Sequence, residues 1–265
     1  MSRPLPADDP AGIWITPLDP AQSGPGQPLA VKDLFDTAGI RTTYGSAVFA
    51  EHVPAADAEA VTRAKAGGYA VAGKTNLHEF AYGTTTENDH WGACPNPAAP
   101  GRVAGGSSGG SAVALVTGSV EAALGTDSGG SIRIPAACCG IAGFKPSYGL
   151  VPLEGCFPLA PSWDHAGPMA RTVAGCLQLL RALVPGWSPL ALEWLGDLRI
   201  GTAWLDGCDL MVRDAMEHAL SHVPGTRPTE FPRPEGAIGL GFMREVADVH
   251  RELFAGAREL YSLDL

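Results

Sequence analysis

Two glycine–serine segments dominate this chain: Gly105-Gly106-Ser107-Ser108-Gly109-Gly110-Ser111 and Gly125-Thr126-Asp127-Ser128-Gly129-Gly130-Ser131. The chain holds 34 glycines, and nine of them fall between Gly101 and Gly130. Without a Cβ, glycine lets backbone N–H groups turn inward and approach one another or a ligand. A row of such donors can hold an oxyanion. A serine beside the row can attack or relay a proton. Small, apolar stretches at 111–117 and 120–124 separate the two segments. They are therefore loops carried on buried elements rather than flexible linkers.

Other chemistries fit these loops less well. Phosphate cradling calls for G-x-x-x-x-G-K-[ST], which is absent, and neither loop contains lysine. Gly106-x-Ser108-x-Gly110 matches the G-x-S-x-G nucleophile elbow, which needs a later acid and then a histidine. Asp164-His165 and His218 could be drafted into those roles. An elbow serine follows a strand, however, and 101–106 does not read as one.

The rest of the composition excludes more than it assigns. The net charge is −10, and only four lysines occur: Lys32, Lys65, Lys74 and Lys145. An acidic chain without a basic stripe is a poor phosphate-backbone binder, so no direct nucleic-acid binding is expected. Six cysteines occur without a C-x-x-C pair, which leaves a zinc ribbon or redox motif unsupported. His218 and His222 are four apart on an expected helix but lack an H-E-x-x-H pattern, so no metal site is expected. The N-terminus lacks the layout of a leader, and no apolar run is long enough to span a membrane. A cytoplasmic setting with free thiols is the expectation.

Periodicity predicts an α/β protein with a mixed sheet. An irregular lead-in over 1–28 precedes a buried strand ending at Lys32. A helix over 57–67, capped by Asp57 and stopped by Gly67-Gly68, leads to a strand over 69–73, which together make a βαβ unit. A helix is expected over 111–117, a strand over 120–124 and a helix over 135–141. An amphipathic helix over 172–183 would bury Val173, Cys176, Leu177, Leu180 and Leu183. After a connection at 185–189, a strand over 198–204, a helix over 210–223, a proline-rich loop over 224–234 and a helix over 242–260 are expected.

Beyond the two loops, several blocks recur in order: Val31-Lys32-Asp33-Leu34-Phe35, Gly73-Lys74-Thr75-Asn76 and Gly83-Thr84-Thr85-Thr86-Glu87-Asn88. Gly143-Phe144-Lys145-Pro146 and Asp164-His165-Ala166-Gly167-Pro168-Met169-Ala170-Arg171 follow. Together they make the chain resemble the amidase signature family. The resemblance implies the fold of that family, a mixed β-sheet core flanked by helices. It also implies a Ser–cis-Ser–Lys triad, with Ser131 as nucleophile, Ser107 as the proton relay in a cis peptide and Lys32 as base. Backbone N–H groups of Ser128, Gly129, Gly130 and Ser131 would then hold the oxyanion. Lys74 is expected to be a structural or substrate-side lysine, Lys145 to support packing or hydrogen bonding, and Arg133 to organise the second loop. No cofactor is implied.

The expected organisation is a single amidase-type domain over 1–265, with a signature core at 29–172 and a partial C-terminal portion at 185–265. Family members are longer, so the fold is expected to be incomplete on its C-terminal side. Exposed edges would then favour self-association into a homo-oligomer or a complementary segment. The expected activity is cleavage of a small carboxylic amide through an acyl-enzyme on Ser131. Two alternatives are a glutaminase-like subunit of a tRNA-dependent amidotransferase and a catalytically silent remnant.

Overall fold

The structure, a computed structural model, describes residues 12–189, 198–232 and 238–262. The described residues fall into two compact units, one within Met1–Trp187 and Leu240–Leu265 and the other within Ser188–Gly239.

In the larger unit the elements run β1 (Trp14–Pro17), α1 (Pro20–Ser23), β2 (Gln27–Lys32), α2 (Glu59–Ala66), β3 (Tyr69–Thr75), β4 (Glu87–Asn88) and β5 (Gly92–Ala93). They continue with α3 (Gly109–Val116), β6 (Ala122–Thr126), α4 (Arg133–Cys139), β7 (Ala142–Gly143), β8 (Ala166–Ala170) and α5 (Val173–Leu183). Six strands form a mixed sheet in the order β1-β3-β2-β6-β8-β7. β2 pairs in parallel with both β3 and β6, while β1, β8 and β7 join antiparallel. β4 and β5 make a separate hairpin.

β2 is covered on both faces, which explains its continuous apolar run. Its alternation sorts side chains between two cores. Leu29 and Val31 pack with Val61 of α2 and with Leu179, Leu180 and Leu183 of α5. Ala30 packs with Val113 and Leu115 of α3. Lys32 shares the parity of Ala30, so the α3 face receives its side chain.

The expected βαβ unit is present as β2-α2-β3, and the family fold expected from the resemblance is the one observed. Several details differ. The lead-in contains β1 and α1 in its described part; β1 is an edge strand, where Pro17 removes no interior ladder bond. Ala58, not Asp57, caps α2; the Asp57 carboxylate instead accepts from Ala38 N at 2.8 Å and Lys65 Nζ at 2.6 Å. In α5, Val173 is 78% exposed. Gly175 faces β8 there, since a Cβ on it would lie 2.7 Å from Ala170 Cβ. Two residues of helix turn Val173 to the opposite side.

The smaller unit holds β9 (Ile200–Thr202), α6 (Leu210–Ser221) and β10 (Thr226–Pro228), with β10 parallel to β9. The loop expected over 224–234 therefore contains a short strand, and its last two residues lie outside the described ones. Asp209 caps α6, accepting from Met211 N at 2.9 Å. No residue of α6 is buried, so His218 and His222 face solvent as expected. α7 (Ile238–Ala257) returns the chain to the larger unit, to which it belongs from Leu240 on, and there Val246 joins a core with Leu34, Phe80 and Leu159. No helix among the described residues is long and apolar enough to cross a membrane.

Candidate active site

Three chain segments converge where β2 and β6 end. β2 delivers Lys32, the first glycine–serine loop delivers Ser107 ahead of α3, and β6 ends at Thr126 in the second loop. Lys32 is fully buried, and its Nζ lies 2.7 Å from Ser107 Oγ and 2.7 Å from Thr126 Oγ1. Burial, which disfavours the ammonium form, lowers its pKa from 10.5 to about 7. The carboxylates of Asp127 and Asp164 oppose that shift. Both hydroxyl partners are neutral, so nothing in direct contact holds Lys32 charged.

The first loop is pinned from two sides. The Gly106–Ser107 peptide is cis, as the family resemblance implies. Thr86 Oγ1 donates to Gly105 O at 2.9 Å and accepts from Gly109 N at 3.0 Å. Gly105 has φ +77°, and a Cβ on it would sit 2.9 Å from Pro135 Cα. A side chain at Gly109 would collide with Thr86. Ser108 N donates to Ser131 O at 3.3 Å, tying the first loop to the second.

Asp127 shapes the second loop. Its carboxylate accepts from Gly130 N at 2.8 Å and Ile132 N at 3.2 Å, and Arg133 grips it through Nε at 2.9 Å and Nη2 at 2.8 Å. Burial acts to raise the pKa of this carboxyl, but the Arg133 and backbone donors outweigh it and hold it below the usual range. The organising role expected of Arg133 is therefore met through Asp127.

Ser131 follows directly, 7% exposed, and its hydroxyl has no hydrogen-bond partner among the described residues. The N–H groups of Ser128, Gly129 and Ser131 likewise have no internal acceptor among the described residues. Gly130 differs from its expected oxyanion role because its N–H is committed to Asp127. The row of four expected donors is thus three unengaged donors here.

Lys74 sits on the strand beside Lys32 and is bound differently. Its Nζ lies 3.0 Å from Asp33 Oδ1, with Phe35 O and Thr42 Oγ1 each at 2.7 Å, and both ionic groups are fully buried. Lys145 Nζ donates to Pro146 O at 2.8 Å. Lys74 thus takes the structural of its two expected roles, and Lys145 the hydrogen-bonding role expected of it.

Asp164 accepts from Ser128 Oγ at 2.5 Å, Leu159 N at 2.8 Å and Ala160 N at 3.1 Å. His165 Nδ1 contacts Trp163 O at 2.6 Å. This pair is built into the loop support and does not contact Ser131 or Ser107.

Sequence reasoning missed Thr126 and Asp164 as partners of the site. Thr126 carried a usable signal, since it ends β6 as Lys32 ends β2 and the strands are neighbours. Asp164 carried none, because its contact with Ser128 spans 36 residues. Among the described residues no group of His, Cys, Asp and Glu side chains could hold a metal ion, and all six cysteines are free.

The Amidase family model matches residues 24–209. A protein from Natronomonas pharaonis, one of the subunits of glutamyl-tRNA(Gln) amidotransferase, is 38% identical over 91% of this chain and 63% of its own length. AtzE from Pseudomonas sp. strain ADP, which belongs to 1-carboxybiuret hydrolase, is 48% identical over 66% of this chain and 42% of its own. A solved amidase structure superposes with TM-score 0.80 at 39% identity, covering 90% of this chain and 56% of the other. The chain thus spans less than two thirds of the length of each of these proteins. On the match over the site-bearing segment and on these likenesses, the chain belongs to the amidase family.

Proposed function

We propose that this chain hydrolyses the C–N bond of a carboxylic amide through an acyl-enzyme on Ser131. The observation that carries this reading is the buried Lys32 amine, 2.7 Å from Ser107 Oγ, with a pKa brought down to about 7. A lysine can act as base only when neutral, and burial supplies that state near neutral pH.

In the forward step Lys32 takes the proton of Ser107 as Ser107 takes that of Ser131. Ser131 Oγ bonds to the carbonyl carbon, and the oxyanion is met by the N–H groups of Ser128, Gly129 and Ser131. The relay returns the proton to nitrogen, the C–N bond breaks, and ammonia or an amine leaves. Water, deprotonated along the same relay, then cleaves the ester and frees the carboxylic acid and Ser131.

A second reading is supported by the likeness to the Natronomonas protein over most of the chain. Here the same chemistry would act on glutamine within an amidotransferase, and the ammonia would pass to another active site on a separate partner chain. Activity that appears only with added partner chains would select this reading; turnover of simple amides by the chain alone would select the first. The test of both is labelling by a fluorophosphonate probe with mass mapping of the modified serine. Labelling at Ser131, absent in Ser131→Ala, is the expected result. A folded protein that never labels at Ser131 would leave the silent-remnant alternative.

A further inference from the structure

Beside the Lys32 strand end lies a cavity of about 270 Å³. Thr126, the hydrogen-bond partner of Lys32, and Ser128 form its catalytic end. Leu34, Leu153, Cys156, Phe157 and Leu159 supply apolar wall. An apolar cavity of about 150 Å³ holds a benzene ring, so this one admits a ring with its linking carbon.

The charges around the cavity are already spoken for. Among the described residues no lysine or arginine lines it, and Asp164 is its one carboxylate. That carboxylate is occupied by Ser128 Oγ, Leu159 N and Ala160 N. Nearby cations are engaged as well: Arg133 with Asp127, Lys74 with Asp33, Lys145 with a backbone carbonyl, and Lys32, behind Thr126, with two hydroxyls. Burial pushes the Cys156 thiol pKa up, so it stays protonated and presents a small apolar surface. A charged group entering this space would lose water and find no free counter-group, which is costly. An anionic group would in addition face Asp164.

We infer that this cavity is the acyl pocket of the Ser131 site, and that it selects amides of uncharged apolar acyl groups up to the size of one aromatic ring. This rests on the amide-hydrolase reading. Cys156 limits the space, because a larger side chain there would fill it. Apolar burial raises kcat/KM for the ring-bearing acyl group, whereas glutamine brings an ammonium and a carboxylate that the walls do not satisfy.

The test uses the purified full chain. Ammonia release is measured for benzamide, phenylacetamide and hexanamide, for the anionic succinamate, for the cationic lysinamide and for glutamine. Ser131 labelling by the fluorophosphonate probe is followed in parallel, with and without each amide. The expected result is kcat/KM, or protection of Ser131, at least ten-fold higher for the uncharged apolar amides. Cys156→Phe should still label at Ser131 yet lose that preference for the ring-bearing amides, benzamide and phenylacetamide, by about ten-fold. Labelling at Ser131 with equal or better use of succinamate, lysinamide or glutamine would overturn the pocket assignment and leave the hydrolase reading standing. So would a Cys156→Phe variant with an unchanged preference. Absence of labelling in folded protein would remove the hydrolase reading, and the pocket assignment with it.

Discussion

Two lysines end up side by side in this sheet, equally buried and differently partnered. Lys32 closes β2 and Lys74 lies near the end of β3, where the strands pair in parallel. Both side chains are fully out of water. Lys74 meets Asp33 at 3.0 Å, together with a carbonyl and a hydroxyl; burial lowers its pKa, and the Asp33 carboxylate opposes that shift. Lys32 meets two hydroxyls and no carboxylate in direct contact. In one place an Asp–Lys pair holds the segment after β2 against β3; in the other the proposed function makes the same residue type a neutral base. What separates structure from chemistry here is one carboxylate, not burial.

The contrast can be broken most forcefully through activity. Lys32→Met should lower amide turnover and Ser131 labelling by about 10³-fold or more, as removal of a catalytic base does. It should not lower the unfolding free energy near neutral pH, because a buried amine held below its ordinary pKa is replaced by an apolar chain of similar length. Denaturant unfolding alongside the activity assay checks both halves. Lys74→Met should do the reverse to stability. It strands the Asp33 carboxylate in the interior, which costs about 3–5 kcal/mol, visible as a large drop in the unfolding midpoint. If the two variants behaved alike in both assays, the distinction drawn between the lysines would fail.

A smaller effect sharpens the same comparison. Thr126→Val removes one of the two hydrogen-bond partners of Lys32 while keeping the side-chain shape. The expected loss is about ten-fold in kcat/KM, in line with one hydrogen bond of about 1–1.5 kcal/mol, with Ser131 still labelled. A further effect concerns stability against pH. The folded-state pKa of Lys32, about 7, lies below its ordinary 10.5. The unfolded chain therefore binds more protons between those values, and the contribution of Lys32 to stability rises with pH across that window. Wild type should gain stability relative to Lys32→Met as pH is raised from 7 toward 10, read from unfolding midpoints at each pH.

Much of this site was legible in the chain before folding. Lys32, Ser107 and Ser131 are named by ordered motifs, and the structure brings Lys32 to Ser107. The βαβ unit followed from an apolar run, a helical pattern and the Gly67-Gly68 stop, all local signals. What was hidden depends on distant contacts. Gly130 reads as a free donor in sequence, yet Asp127 occupies it because the loop folds back around that carboxylate. Val173 has the right spacing for a buried face, but the close approach of Gly175 to β8 rotates it outward. Asp57 has the chemistry of a cap, but Ala38 N and Lys65 draw it elsewhere. The cavity wall at Cys156 is assembled from separate segments, and no spacing rule predicts it.

The most direct test of the account is the rate of Ser131 acylation by the fluorophosphonate probe as a function of pH, in wild type and in Lys32→Met. The account predicts that the wild-type rate climbs as Lys32 loses its proton, with a midpoint near pH 7, and that this rise is missing in Lys32→Met. A wild-type midpoint near the ordinary lysine value of 10.5, or the same rise in both proteins, would contradict the claim that Lys32 is the neutral base of this site.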